Sequence, residues 1–519
     1  MPRVMHEFSH RWVVAAVLAW LWWSLTPAQG SQWPEKVEAA LVEAHANRPE
    51  LEKVLEHYRQ RSDKQKFAAS CFLISNMPGH AFVTTALFDG KGNALPFDVL
   101  SYKGLGEAQR ALTELEKKHG TAKFDRLKVA SDLETVTADY LIDNIDLAFK
   151  AWRAKPWAKN MSFDTFCECI LPYRANREPV ERWRAACEID TKTILAEMKN
   201  PSDPREAASL VQKHTKFHVG FSDLYYLHPT DQGFHEMCNK PVGRCGDISN
   251  MDVYIYRANC IAVAGDYTPY WANRDNNHGW DVILDKDGRG NAGLFNRAAK
   301  VYRKTFAHNP EALFYQRAKD EKLPQWLAGR SFRDVTDQYM QTTDVTVSLE
   351  FPPPKPARFA YICVFNGGEW KPIHWGWIHD GRVTFTKMGR NIAYLVGYYV
   401  DDKIAPAAPP FILDEQGKSS RLVCDLKHVQ ELQIKQVNPS IKDDDLKKIL
   451  PGKDLEQGKK YQLYVWNRGW QSLAKMAGGM KDLARFEKLP AGGLYWVASE
   501  DDRETARIFT IEGGKQRFW

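Results

Sequence analysis

Several features are scarce or missing in this chain of 519 residues, and each narrows what it can be. The net charge is only +6, and no cluster of Lys and Arg stands out, so the composition gives no sign of a nucleic-acid partner. No repeat of fixed period is present. The hydrophobic share of 44% and the charged share of 26% are ordinary for soluble globular domains. At this length, roughly three or four domains are expected.

The N-terminal apolar run is too short to span a membrane. It covers Trp12 to Leu25, with Arg3 and Arg11 before it and small residues up to Gly30 after it. This pattern predicts a secretory signal peptide over residues 1–30, cleaved near Gly30-Ser31, and a secreted, periplasmic or cell-surface protein. An uncleaved anchor is the alternative and would be the route to a membrane. No Cys follows the run, which argues against lipoprotein attachment.

Cysteine is present in an odd number, nine, which matters for an exported protein. One free reactive thiol together with bridged or buried cysteines would fit this count. Cys238 lies seven residues before Cys245. A disulfide between the two would remove Cys245 as a nucleophile, and this possibility stays open at the sequence level.

Cys245 is expected to open a helix. The apolar residues that follow it, at positions 248, 251, 254, 255 and 258, have helical spacing. A helix N-terminus and a nearby imidazole both favour the reactive thiolate form of cysteine. Cys245 is therefore the predicted nucleophile.

His278 is expected to open a strand. The segment that begins His278-Gly279-Trp280 is followed by a turn signal at 285–288 and a predicted return strand over 292–296. The predicted order is thus Cys on a helix, then a strand, then a hairpin whose first strand carries His.

This order resembles the transglutaminase-like superfamily, which includes transglutaminases, peptide N-glycanases and related bacterial proteases. The similar part covers roughly residues 216 to 335. The resemblance implies a papain-like α+β core with Cys245 and His278 as catalytic residues. Asn296 stands where the family usually has an Asp, and an Asn can still hold an imidazole in the required tautomer. Asp281 is a poorer third member, because three positions along a strand it faces the other side.

A wider likeness, to secreted multidomain transglutaminase-like proteins of bacteria, rests on four short segments. They are Phe72 to His80, Ile170 to Arg174, Tyr270 to Arg274 and Val301 to Thr305. This likeness implies architecture but names no substrate.

The predicted fold class is α+β and multidomain. Residues 31–215 are predicted to form a mostly helical N-terminal domain, and 216–335 the transglutaminase-like core. Short strands and Gly-containing turns then predict antiparallel β-sandwich structure, divided into a domain over 336–442 and a C-terminal β domain over 443–519. A helix-like charged segment, Asp443 to Ile449, is expected to open the last domain.

Other residues near the thiol have weaker predicted roles. The backbone N–H of Cys245 and the side chain of Asn239 are expected to form an oxyanion hole. Asp247 is expected to cap the helix. Trp271 and Trp280 could shield a thioester or belong to the core.

A zinc site is the alternative arrangement of these residue types. It would use His235, Cys238, Cys245 and His278, but their spacing matches no common tetrahedral finger, and no metal or cofactor is predicted.

The predicted function is a secreted cysteine-dependent acyl-transfer enzyme acting on peptide, glycopeptide or side-chain amides. Water as acceptor gives hydrolysis and an amine gives cross-linking; water is the abundant acceptor outside the cell. The alternative is an inactive transglutaminase-like scaffold that binds extracellular glycan or protein through Trp-rich β domains. The expected partners are accordingly a protein, peptide or glycopeptide substrate, with possible glycan contact by the C-terminal domains.

Overall fold

The computed structural model describes residues 32–293, 297–443, 448–477, 484–499 and 503–519. The predicted signal peptide and Asn296 lie outside these residues. Within them, no helix combines the length and the apolar character needed to cross a bilayer.

The first region, up to residue 215, is mainly helical, as predicted. On α2, the buried residues Leu51, Val54, Leu55 and Tyr58 recur at helical spacing, so one face of this helix enters the core. The prediction did not include strands here, yet the region holds a small antiparallel sheet in the order β2-β1-β3. Its elements are α1 Glu35–Glu43, α2 Arg48–Gln60, α3 Lys64–Asn76, β1 Ala81–Phe88, β2 Ala94–Leu95, α4 Leu105–His119, β3 Lys123–Ser131, α5 Asp132–Thr135, α6 Ala138–Ala154, α7 Phe163–Cys169, α8 Arg184–Cys187, α9 Thr191–Leu195 and α10 Pro204–His214.

The second region packs one long helix, α12, against a four-stranded antiparallel sheet in the order β7-β6-β8-β9. Its elements are β4 Gly220–Phe221, α11 Phe234–Asn239, β5 Val242–Gly243, α12 Cys245–Ala258, β6 Val263–Thr268, β7 His278–Ile283, β8 Tyr302–Lys304, α13 Leu313–Gln316, β9 Phe332–Asp334 and α14 Thr336–Tyr339. Most of α12 is buried, including its polar residues Ser249, Asn250 and Arg257. A helix buried on nearly all sides belongs to the interior of a large protein.

The predicted return strand of the hairpin, over 292–296, falls only in part on described residues. Ala292 and Gly293 are not in a strand, and 294–296 lie outside the described residues. The next strand along the described chain, β8, pairs with β6 instead of β7. A tight turn after Asp285 does form, as predicted, but it does not lead directly into a strand partner of β7.

The last region is built of strands, as predicted from the alternation. Eight strands form one sheet in the order β10-β13-β12-β11-β14-β16-β17, with β15 beside β14; seven form another in the order β24-β23-β26-β27-β28-β18-β25. The strands are β10 Thr342–Ser348, β11 Phe359–Asn366, β12 Glu369–His379, β13 Arg382–Gly389, β14 Ile392–Val400, β15 Lys403–Pro406, β16 Phe411–Leu413, β17 Ser419–Arg421, β18 Asp425–Ile434, β19 Gln436–Asn438, β20 Ile441–Asp443, β21 Lys448–Leu450, β22 Lys453–Asp454, β23 Lys460–Trp466, β24 Trp470–Ala477, β25 Ala484–Ala491, β26 Tyr495–Ala498, β27 Ile508–Glu512 and β28 Lys515–Phe518.

The structure corrects the expectation of a helix-like segment in this region, and it limits the number of tryptophans that are available to bind glycan. The segment from Asp443 to Ile449 was expected to be helix-like, but its ends lie in the paired strands β20 and β21. Most tryptophans here are core residues: Trp370, Trp466, Trp496 and Trp519 are buried and pack in one aromatic cluster. Burial removes these rings from any glycan-stacking face.

Candidate functional site

The chain path brings the N-terminus of α12 and the start of β7 to the same end of the core. After α12, the chain turns at Asn259 and returns along the helix as β6, and β7 then pairs antiparallel with β6. The 14 residues of α12 and the six of β6 each span about 20 Å. Because the two lengths match, Cys245 lies at the end of the layer where Thr268 pairs with His278.

Cys245 is a partly exposed free thiol at the first position of α12. All nine cysteines are free thiols in the structure, so the alternative of a Cys238–Cys245 disulfide is not what the structure shows. The first N–H groups of a helix lack intrahelical acceptors, which leaves the N–H of Cys245 and of Gly246 able to bind an oxyanion. The charged side chains of Arg244 and Lys304 are within electrostatic reach of the thiol.

Three other cysteines, Cys167, Cys169 and Cys260, are buried, unlike Cys245. Burial raises the pKa of Cys167, Cys169 and Cys260 to about 12. A buried thiol with so high a pKa is a poor nucleophile at neutral pH. Cys238 is exposed and therefore provides an internal reference for reactivity.

Asp247 holds the start of α12, as the sequence predicted. Its carboxylate is buried and accepts the N–H of Arg244 at 3.0 Å and the N–H of Gln232 at 3.1 Å. The Gln232 amide, itself fully buried, donates to the carbonyl of Val242 at 2.9 Å. These bonds fix the loop that presents Cys245.

Asn239, the predicted oxyanion donor, is exposed at the end of α11. The buried amide packed under the loop before Cys245 is Gln232, which the sequence did not single out. Its signal was weak, because Gln232 lies 13 residues upstream and belongs to no recognisable motif.

His278 opens β7 as predicted, with its ring between Trp271 and Trp280 at centroid distances of 6.0 and 5.3 Å. Alternation along the strand puts His278 and Trp280 on one face of the sheet and Asp281 on the other, toward α12. The imidazole therefore starts on the face opposite α12, so that a contact with the thiol requires a path around the end of the sheet that they share.

The loop before His278 is firmly held. The Asn366 amide of β11 donates to the carbonyls of Trp271, Arg274 and Asn276 at 2.9–3.0 Å. The N–H of Gly367 donates to the Asp275 carboxylate at 2.9 Å. The β-strand region thus sets the position of the loop that leads into the predicted base.

Tyr226 connects the two halves of the site, and the sequence did not indicate it. Burial raises the pKa of its hydroxyl, with a further rise from the charge of Cys245, while a hydrogen bond with the Asn276 side chain acts in the opposite direction. The ring is 41% exposed and lies edge-on to Phe221, which is 59% exposed, at 6.2 Å. Two exposed aromatic rings therefore stand beside the thiol.

The third member of the predicted triad, Asn296, lies outside the described residues and stays a prediction. On the His278 face of the sheet, the adjacent pair in the ladder joins Trp280 and Asp266. Asp266 is engaged by the Arg303 guanidinium and by the Tyr339 hydroxyl, which donates at 2.6 Å. This carboxylate is committed to a buried ion pair.

Trp280 has a structural contact of its own. Its indole N–H donates to the Tyr339 hydroxyl at 2.9 Å, and its ring packs in a small apolar cluster with Trp271. Among the residues that the structure describes, no three His, Cys, Asp or Glu side chains are grouped so as to hold a metal ion.

In comparisons with known proteins, no family model matches this chain and no curated protein sequence is similar to it.

Proposed function

We propose that this protein is a secreted cysteine-dependent acyl-transfer enzyme with a transglutaminase-like core, in which Cys245 is the nucleophile and His278 the base. The observation that carries the proposal is the placement of a free, partly exposed thiol at the N-terminus of α12, at the end of the layer where His278 opens β7. A helix N-terminus flanked by Arg244 and Lys304 is an environment that favours a thiolate.

The reaction follows from these roles. His278 accepts the proton of the Cys245 thiol, and the thiolate attacks an amide carbonyl of the substrate. The N–H groups of Cys245 and Gly246 stabilise the tetrahedral oxyanion. As the C–N bond breaks, His278 donates its proton to the leaving amine, and a thioester remains on Cys245. Water then attacks the thioester, which releases the carboxylic acid and restores the thiol; an amine in place of water gives a new amide.

Phe221 and Tyr226 suit a substrate with an apolar or aromatic group next to the scissile amide. Both rings are exposed beside the thiol, and exposed aromatic pairs bind such groups well. Peptide and glycopeptide amides are the substrates that we propose on this basis.

Alkylation of the intact protein tests the proposal. Iodoacetamide is added at pH 6–8, and the rate at each cysteine is measured by peptide mass spectrometry. A free cysteine is only a few per cent thiolate at pH 7, so we expect Cys245 to react about tenfold faster than the exposed Cys238.

The matched variants are His278→Ala and His379→Ala, the second at an exposed histidine on β12. His278→Ala should bring the rate at Cys245 down to that of Cys238, whereas His379→Ala should not change it. Equal rates at the two cysteines in the unmodified protein would refute the proposal.

A further inference from the structure

A cavity of about 490 Å³ lies between the N-terminal helical region and the core, on the α12 side of the sheet. Pro78, Gly79 and His80 line it from the first region, and Val253 of α12 and Gly265 of β6 line it from the core. Three of the four segments that carried the wider sequence likeness meet here, since Arg174 and Lys304 also line the cavity. The proposed chemistry at Cys245 uses the charges of Arg244 and Lys304 in this lining and assigns no role to the other residues.

Three cations line the cavity without a carboxylate partner. They are Arg177 from the loop after Arg174, Lys304 from β8 and Arg330 from the loop before β9. In the described part of the chain, none of the three forms an ion pair. The Arg330 guanidinium instead lies over the Phe314 ring at 4.1 Å.

Other charged groups of the lining already have ion-pair or hydrogen-bond partners within the protein. Arg174 forms two bonds with the Asp132 carboxylate, at 2.6 and 2.7 Å. Arg257 donates to backbone carbonyls, among them that of Arg174 at 2.7 Å. Asp231, a carboxylate in the lining, pairs with Arg244. It also accepts the Asn176 amide at 2.7 Å.

His80 is not a cation in this cavity. Its ring stacks on Phe306 at 4.4 Å and bonds with the Phe306 carbonyl at 3.0 Å. Burial lowers its pKa to about 4, so the ring is neutral at physiological pH. The unpaired positive charge in the cavity thus comes from the lysine and the two arginines.

Glycines make room for these cationic side chains. A Cβ at Gly79, where φ is +87°, would lie 3.2 Å from the Arg330 side chain. A Cβ at Gly265 would lie 3.4 Å from Cδ of Lys304. Burial lowers the pKa of Lys304, against a rise from the nearby Asp231 charge. Keeping a desolvated ammonium without a partner costs free energy, which an anionic ligand would offset.

We propose that this cavity binds a small anionic ligand that carries several carboxylate or phosphate oxygens. Lys304 and Arg330 bind the anion, and Arg177 contributes at the rim. The volume falls in the range of small-molecule pockets, roughly 300–1,000 Å³. This inference does not rest on the proposed catalysis: Lys304 is also within electrostatic reach of Cys245, but binding of an anion requires neither the nucleophile nor the base.

Calorimetric titration of the full chain with inorganic phosphate and, separately, with citrate tests the proposal. We expect saturable binding of at least one of the two at low ionic strength, and none of sodium chloride at matched ionic strength. Which of the two anions binds more tightly shows whether the site prefers phosphate or carboxylate oxygens as acceptors.

Four variants make the test specific. Lys304→Met and Arg330→Gln should each weaken binding by about tenfold or more, the usual effect of losing one charge-assisted contact. Lys322→Met, at a lysine that is 76% exposed, is the matched control and should not change it. Cys245→Ser should bind normally, which separates this site from the proposed catalysis.

Absence of saturable binding of both anions to the unmodified chain would overturn the proposal, as would unchanged affinity in Lys304→Met. If Arg330→Gln does not fold, Lys304→Met decides the question, because methionine keeps an apolar side chain of similar length and removes only the charge. Thermal unfolding of each variant without anion verifies that it is folded.

Discussion

Strand β8 places two cations side by side on opposite faces of the core sheet, and their surroundings differ sharply. Arg303 faces away from α12, is 1% exposed and forms two bonds of 2.8 Å with the buried Asp266 carboxylate. Lys304, the next residue, faces α12 and the cavity and has no carboxylate in ion-pair distance in the described part of the chain. The paired charge is part of the framework, whereas the unpaired one is available to a ligand.

The two positive charges on β8 also differ in how their hydrogen-bond donors are used. The Arg303 guanidinium further donates to the carbonyls of Gly288 and Gly290, at 3.0 and 2.9 Å, so its donors are used within the fold. Lys304 is next to Gly265 and within electrostatic reach of Asp231. Only the second arrangement leaves donors free for an anion, and substitutions on the two faces should therefore have opposite effects on stability.

The largest effect is expected on the paired face. Arg303→Met leaves the Asp266 carboxylate buried without its cation and should lower the free energy of unfolding by about 3–5 kcal/mol. Urea unfolding at pH 7 measures this. Adding Asp266→Asn to Arg303→Met should restore part of the loss, because the uncompensated charge is then gone. A loss below about 1 kcal/mol in the single variant would show that the pair contributes little to the framework.

A smaller effect, dependent on pH, is expected where α12 meets β7. Burial, together with the charge of nearby Asp281, raises the pKa of Asp252 to about 7. When folding raises the pKa of an acid, the native state loses stability as the pH rises from the pKa of the unfolded chain to that of the native state. For Asp252 this range runs from about 4 to about 7. Asp252→Asn should therefore stabilise the protein by about 2 kcal/mol at pH 8 and have almost no effect at pH 4.

Thermal unfolding of Asp252→Asn between pH 4 and pH 8 provides the measurement. Asp287→Asn, at a carboxylate that is 61% exposed, is the control and should leave the pH profile unchanged. A gain in stability at pH 4 as large as that at pH 8 would contradict the assignment of the effect to this ionisation.

Local pattern predicted much of the fold. Helical spacing after Cys245 predicted α12, and the segment before the turn signal at 285–288 predicted that His278 opens β7. These elements follow from hydrophobic periodicity, which reflects burial of one face or of a whole element. The predicted cap, Asp247, also follows from local chemistry.

Pairing between distant segments was not predictable in the same way. β8 pairs with β6 across more than 30 residues, and no short-range signal shows that the strand after β7 pairs elsewhere. The cavity is another case, because Gly79, Arg177 and Lys304 meet only through packing of the two regions.

The smallest effect on stability is expected for Lys304, on the face of the sheet without an ion pair, and it should be opposite in sign to the effect of Arg303→Met. Lys304→Met removes a desolvated ammonium that has no anionic partner, and the methionine stem can pack along Gly265. We expect a gain of about 1 kcal/mol in the free energy of unfolding at pH 7, measured without phosphate or citrate. The gain is small because the Lys304 side chain is not fully buried and because the substitution also removes its attraction to Asp231. Urea unfolding with and without 10-fold excess anion over its measured Kd should show about 1.4 kcal/mol of stabilisation in the unmodified protein and much less in the variant. A loss of stability in Lys304→Met comparable to that in Arg303→Met would mean that both cations of β8 stabilise the fold. Lys304 would then not be an unpaired charge that is available to a ligand.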